Sequence, residues 1–248
     1  MQDALIKQQS KWENQQDSTL FRRGLNAGSA SKSFHDVISG IKEASSNKEH
    51  MKLLVVGVAE GQEPLSLLVV LDSMAKDKGK SLDNYVSLNM VDVRPKPEYS
   101  EVKKRSKEYE HVIDLVFDDK SPEFQGFEQD EDDDMQCRIK QPIVDYLMNA
   151  INDASRSQWE TKAQDYFKDD KKTYDCISYN NVTGYIPSAE DRNYIIKQMV
   201  LHLSKGGVLI TDADYGGGYT LKELPDYLSL VEECGLKEVF PGVFKRNK

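Results

Sequence analysis

The stretch Met51–Ser66, MKLLVVGVAEGQEPLS, decides how the rest of the chain is read. Leu53-Leu54-Val55-Val56 is a short unbroken apolar run, β-branched at its end, the pattern of a strand buried on both faces. It stops at Gly57-Val58-Ala59-Glu60-Gly61, and Glu63-Pro64 then opens the periodic segment LSLLVVLDSMA. Proline is tolerated in the first turn of a helix, and an acid there suits the helix dipole. The stretch therefore reads as strand, tight glycine turn, helix. In an open α/β sheet such a turn lies where nucleotide-like ligands bind, and the N–H groups of the helix start offer them donors. Glycines in a strand–helix connection can also serve the backbone alone, so the turn needs support from the rest of the chain.

The 248 residues are enough for one sizeable α/β domain with a full core. Hydrophobic residues make up 38% and charged ones 30%, and no apolar run approaches the about 20 residues of a membrane span. The N-terminus, MQDALIKQQSKWENQQ, has no apolar signal core. A net charge of −9 and a pI near 5.1 argue against nucleic acid as the default partner. Cys137, Cys176 and Cys234 show neither CxxC spacing nor an even framework, which fits a reducing cytoplasm, although an exported effector would look similar. None of the histidines (His35, His50, His111, His202) has a metal-like partner spacing.

Outward from the turn, residues 1–50 read as a polar arm followed by a helix, with Ser33 as a cap and Phe34, Val37, Ile38 and Ile41 on one face. Residues 51–248 form the main domain. Val86, Leu88 and Met90 alternate into Val91-Asp92, a second strand ending in an acid. Such an acid can accept hydrogen bonds from ribose hydroxyls, or can simply form the turn before Arg94-Pro95-Lys96-Pro97. A charged helix follows from Glu98, marked by Tyr99, Val102, Tyr109 and Val112. The acidic run Asp130–Asp134 lacks the alternating ligands, glycine and distal glutamate of a calcium loop and reads as solvated. Ile143, Leu147 and Ile151 recur every four residues, which is helical. Tyr174–Tyr179 starts as a buried strand, Ser188 caps a helix with Asp191 three residues on, and Leu203-Ser204-Lys205-Gly206-Gly207 breaks that helix before a strand, Val208–Thr211. Pro225 opens a last helix ended by Gly235, and Leu236–Lys245 suits a closing antiparallel hairpin.

Three motifs carry a family resemblance. Gly57, Gly61, Glu63, Pro64 and Ser66 resemble, with identical spacing, the GxSTGEEPYS signature of the CheR-type chemotaxis-receptor glutamate methyltransferases. Thr19-Leu20-Phe21-Arg22 resembles that family's T-x-FFR, and Asp175, Ile177, Asn181, Val182 and Tyr185 match its FDxIxCRNVxxYF. Leu203–Gly207 resembles the LKPGG turn of Rossmann-type methyltransferases generally. The resemblance implies a Rossmann-like class I methyltransferase: a seven-stranded, mostly parallel sheet with helices on both faces and an insertion at roughly 117–140. It implies S-adenosyl-L-methionine (SAM) as cofactor and S-adenosyl-L-homocysteine (SAH) as product, held by Gly57, Ala59, Gly61, Glu63, Asp92, Asn180 and Asn181. It places Arg22 and Tyr185 at the methyl-transfer site. It also offers a second reading of CRIKQPIVDYLMNAIND as hairpin strand, short helix and third strand, which would put Asn152 or Asp153 by the adenine; this conflicts with the helical spacing.

Departures from the family pattern bear on the substrate. Asn180 replaces an arginine, Asp212-Ala213-Asp214-Tyr215 stands in place of GHSE, Arg94 stands where a second acid is common, and the family's N-terminal helical domain is missing. The implied reaction is methyl transfer to a carboxylate oxygen, with a protein glutamate as substrate, no nucleic acid and no membrane insertion. The alternatives are a methyltransferase with another acceptor, protein or small molecule, and a SAM- or SAH-binding scaffold or sensor without turnover. An NAD enzyme would need GxGxxG; here the middle glycine is missing and Glu60 would repel a pyrophosphate.

Overall fold

Strand β1 (Met51–Val56) lies inside the sheet, third of its seven strands. In the computed structural model, which describes residues 30–107, 125–129, 137–179, 186, 188–211, 227–240 and 242–248 with side chains from Ile38 onward, β1 pairs in parallel with β2 (Val86–Val91) on one side. On the other side it pairs in parallel with β6 (Tyr174–Tyr179), so that Leu54 lies opposite both Asn89 and Ile177. With β5 (Ser157–Gln158), β7 (Leu203–Thr211), β8 (Lys237–Phe240) and β9 (Val243–Lys245) the sheet has seven strands in the order β5-β2-β1-β6-β7-β9-β8. Only the pairs β7–β9 and β8–β9 are antiparallel. This is the Rossmann-like methyltransferase sheet, and the order reverses between β1 and β6, where an open α/β sheet leaves its ligand crevice.

The alternation of β1 sends its residues into two cores. Leu53 and Val55 pack with α1 (Ala30–Ser45), α2 (Gln62–Asp77), α3 (Leu82–Tyr85), α4 (Tyr99–Arg105) and α5 (Gln141–Asn152). Leu54 and Val56 pack with α6 (Ala163–Asp169), α7 (Ala189–His202) and α8 (Tyr227–Cys234). A strand buried on both faces needs no polar alternation, which is why Leu53–Val56 reads as one apolar run.

Helix α2 is buried from Pro64 to Ala75, all round rather than on one face. Its outer side is covered by α5 and by a separate antiparallel hairpin, β3 (Phe127–Gln129) with β4 (Cys137–Ile139), within the 117–140 stretch. The hairpin sits so close that a Cβ on Gly126 would lie 2.8 Å from Ile143 Cδ1 and 3.0 Å from Val69 Cγ1.

Several boundaries differ from the sequence reading. Helix α1 spans Ala30–Ser45, so Ser33 lies inside it rather than at its cap, and Ile38 and Ile41 join the first core. The charged helix from Glu98 spans only Tyr99–Arg105; Val102 is buried, Tyr99 is exposed, and Tyr109 and Val112 fall outside the described residues. Ile143, Leu147 and Ile151 are all buried on α5, so the helical reading holds there, and the third strand comes afterwards at Ser157–Gln158. β7 begins at Leu203, before the expected Val208. Tyr174 pairs with Leu203 and Cys176 with Val208, so the Ser204–Gly207 turn is looped out of the ladder. A Cβ on Gly207 would meet the Ser204 carbonyl at 2.9 Å and those of Asp175 and Tyr174 at 3.1 Å. Ser188 caps α7 as expected, accepting from Asp191 N–H at 3.1 Å.

Candidate functional site

The C-terminal ends of β1, β2 and β6 converge on the glycine turn. Gly57, Ala59 and Gly61 alternate in the left-handed region, at φ 80, 56 and 90. Gly57 N–H donates to the Val91 carbonyl at 2.9 Å, and Ala59 N–H to Asp92 Oδ2 at 2.8 Å, so the turn leans across onto the end of β2. Glycine takes this backbone without strain, whereas for an alanine it costs about 1–2 kcal/mol. The bond from Ala59 to a carboxylate offsets that cost.

Asp92 is 3% exposed. Besides Ala59 it accepts from Arg94 N–H at 2.8 Å, an Asx turn of the kind aspartate forms before a loop, and from Arg94 Nε at 3.4 Å and Nη2 at 3.2 Å. Asp92 thus stands at the end of the second strand and forms the turn before the loop, the second of the two readings its position allowed.

Glu63 lies in the first turn of α2. The hydroxyl of Ser178, fully buried on β6, donates to its Oε1 at 2.7 Å. The acid within the turn, Glu60, is paired with Arg105 at the end of α4.

Gly57, Ala59, Gly61, Glu63 and Asp92 therefore form one connected constellation. Among the described residues, no hydrogen bond joins Asn152 or Asp153 to it. Asn152 is the last residue of α5, its amide oxygen accepting from Lys96 Nζ at 2.9 Å. Asp153 is the C-cap of α5 and accepts from Ser155 N–H at 2.9 Å, Ser155 Oγ at 2.7 Å and Arg156. The main chain beside Asp92 comes instead from β5 and the residues after it: Asp92 N–H donates to Gln158, and Thr161 N–H to Asp92. Arg22, Asn180, Asn181 and Tyr185 lie outside the described residues.

Sequence reasoning passed over Ser178 and Arg105 and treated Arg94 only as a departure from the family pattern. The signal for Arg94 was its place two residues after a strand-end aspartate; Ser178 and Arg105 had none, since their partners are distant in the chain. Asp175, part of the third motif, stands at the opposite end of β6 and ties it down, accepting from Lys52 N–H at 3.0 Å, Ser204 Oγ at 2.7 Å and Lys48 Nζ at 3.0 Å. Burial pushes its pKa up, but the hydrogen bonds from Ser204, Lys52 and Lys48 outweigh this and hold it below its ordinary value.

All three cysteines are buried, and burial pushes the thiols of Cys137, to about 11, and Cys176 upward, which suits packing rather than nucleophilic work. Among the described residues no helix is long and apolar enough to cross a membrane, and no group of three His, Cys, Asp or Glu side chains could hold a metal ion.

No protein-family model matches the chain, the chemotaxis-receptor methyltransferases included, and no curated protein matches it either. Among solved structures it is similar to the N-methyltransferase NodS from Bradyrhizobium japonicum in complex with SAH, at 13% identity over 86% of each chain, with a TM-score of 0.43. It is also similar to CalS10, a SAM-bound amino pentose methyltransferase from Micromonospora echinaspora, at 12% identity over 82% of this chain and 54% of that one, with a TM-score of 0.35. Likenesses this distant do not bear on the reaction of this chain.

Proposed function

We propose that the chain is a SAM-dependent methyltransferase acting on a carboxylate oxygen, with a protein glutamate as the favoured acceptor. The observation that carries the cofactor reading is the joining of the Gly57–Gly61 turn to Asp92 through Ala59 N–H, with Glu63 in the first turn of the helix that follows, at the reversal of strand order. Two carboxylates there suit a ligand with ribose hydroxyls and an ammonium group. The carboxylate acceptor rests on the motif resemblance, through Arg22 and Tyr185.

When bound, SAM supplies a methyl group made electrophilic by the adjoining sulfonium. The chain's own part is positional. Asp92 accepts from the ribose hydroxyls, Glu63 pairs with the amino group while Ser178 fixes its carboxylate, and the turn lets the ligand approach the backbone closely. Arg22 orients a carboxylate, and Tyr185 lines the transfer site. A carboxylate acceptor is already a nucleophile, so no general base is needed and in-line alignment with exclusion of water suffices.

Calorimetric titration with SAH, for wild type and Asp92→Ala, tests the cofactor reading. Micromolar binding that the variant loses supports it; a folded wild-type chain that ignores SAH overturns it. Methyl-labelled SAM with candidate acceptors then tests the reaction. A label released as methanol by mild alkali marks a carboxyl ester. An alkali-stable label keeps the cofactor and overturns the acceptor, and binding without transfer to any acceptor leaves a SAM-binding scaffold.

A further inference from the structure

The acceptor capacity of Asp92 is already full. A carboxylate offers about four lone-pair positions. Oδ2 takes Ala59 N–H at 2.8 Å and Arg94 Nη2 at 3.2 Å; Oδ1 takes Arg94 N–H at 2.8 Å and Arg94 Nε at 3.4 Å. The two bonds of 2.8 Å come from the main chain. The two longer ones come from a guanidinium whose side chain is 51% exposed. A vicinal diol needs an acceptor on the same carboxylate, and among the described residues the only donors there that can withdraw by a side-chain rotation are those of the guanidinium.

The geometry points to Arg94 as the residue that sets affinity for the ribose: its guanidinium and the ligand's hydroxyls compete for Asp92. This rests on the SAM reading above. The backbone of Arg94 stays in place during the exchange, because its N–H is bound to Asp92 and its carbonyl accepts from Glu160 N–H at 3.0 Å. The guanidinium also gives the buried carboxylate a counter-charge in the absence of ligand, when an unpaired charge there would be costly. The exchange gives up an ion pair whose cationic half is 51% exposed and whose bonds to Asp92 are the longer ones, so Arg94 lowers affinity without abolishing it.

Titration of wild type, Arg94→Ala and Arg94→Met with SAH, and with SAH lacking the 2′- and 3′-hydroxyls, tests this. Both variants are expected to bind SAH about fivefold tighter than wild type, the upper end of what an exposed ion pair is worth, because the Asp92 half of this pair is buried. Neither should gain affinity for the dideoxy ligand. Added salt, which screens the pair, should raise wild-type affinity towards that of the variants and leave theirs flat. Equal or weaker SAH binding by both variants, with wild type binding, overturns the competition and leaves the SAM reading standing. No binding by any of the three, all folded by thermal melting, overturns the SAM reading and this inference together.

Discussion

The Ser178 hydroxyl donates to Glu63 Oε1 at 2.7 Å, and that bond ties the end of β6 to the first turn of α2 across the reversal of strand order. A glutamate at a helix start has several rotamers, and a buried donor selects one. Ser178→Ala removes the donor while leaving the strand intact. A hydrogen bond to a charged group is worth about 1.5–3 kcal/mol, which limits the fall in SAH affinity to about 10- to 150-fold; because the bond is already present without ligand, part of the loss appears as a lower melting temperature. Calorimetry and thermal melting on the same preparations decide the matter: lost stability with unchanged affinity would confine Ser178 to the fold.

Ala59 pays for its φ of 56 with strain that glycine would not carry. Relief of about 1–2 kcal/mol is partly cancelled by the extra freedom of glycine in the unfolded chain, about 0.5–1 kcal/mol. Ala59→Gly should therefore raise stability by up to about 1 kcal/mol in urea unfolding. A loss of stability would mean that the alanine methyl packs against something that outweighs the strain.

What the sequence makes readable, and what it hides, follows from the range of the interactions. The β1–turn–α2 unit is local: an apolar run, glycines and a proline within 16 residues. Asp92 could be placed because strand ends are local too. β5 could not, since Ser157–Gln158 has no apolar run and is a strand only through its pairing with Met90 and Val91. For α5, the four-residue spacing and the family resemblance gave opposed readings. The spacing prevailed because it reports directly on burial, and Ile143, Leu147 and Ile151 all face the core. The pairs Ser178–Glu63 and Arg105–Glu60 join residues far apart in sequence, and no periodicity announces them.

Arg246 follows the last strand and caps a helix that ended more than 40 residues earlier. Its Nη1 donates to the carbonyls of Val200 at 3.2 Å, Leu201 at 2.8 Å and Leu203 at 2.8 Å, at the C-terminus of α7 where acceptors are left over and positive charge is favoured. Arg246→Ala should cost about 1–3 kcal/mol in denaturant unfolding. Arg246→Lys should recover only part of it, because an ammonium lacks the planar fork. Full recovery by lysine would assign the effect to charge alone.

Asp175 gives the fold a specific acid sensitivity. Its carboxyl is held below the ordinary 3.8 in the folded chain, because the bonds from Ser204, Lys52 and Lys48 outweigh the opposing effect of burial. A folded-state pKa below the unfolded one means that the unfolded chain takes up the proton first. The stabilisation is therefore complete above the unfolded value and is lost as pH falls through the folded one. Glu49, Asp153 and Asp165 are also held down, by Lys80, Ser155 and Lys168, but they are solvated and remain in the variant, so they cancel in a comparison. Urea midpoints followed from about pH 6 down to about pH 2 should fall more steeply for wild type than for Asp175→Asn, with the difference developing below about pH 4. At neutral pH the variant should be the less stable of the two, since Lys48 loses its counter-charge and Lys52 N–H and Ser204 keep only a neutral amide. Parallel slopes for the two proteins would mean that the clamp at the start of β6 holds equally well without its charge.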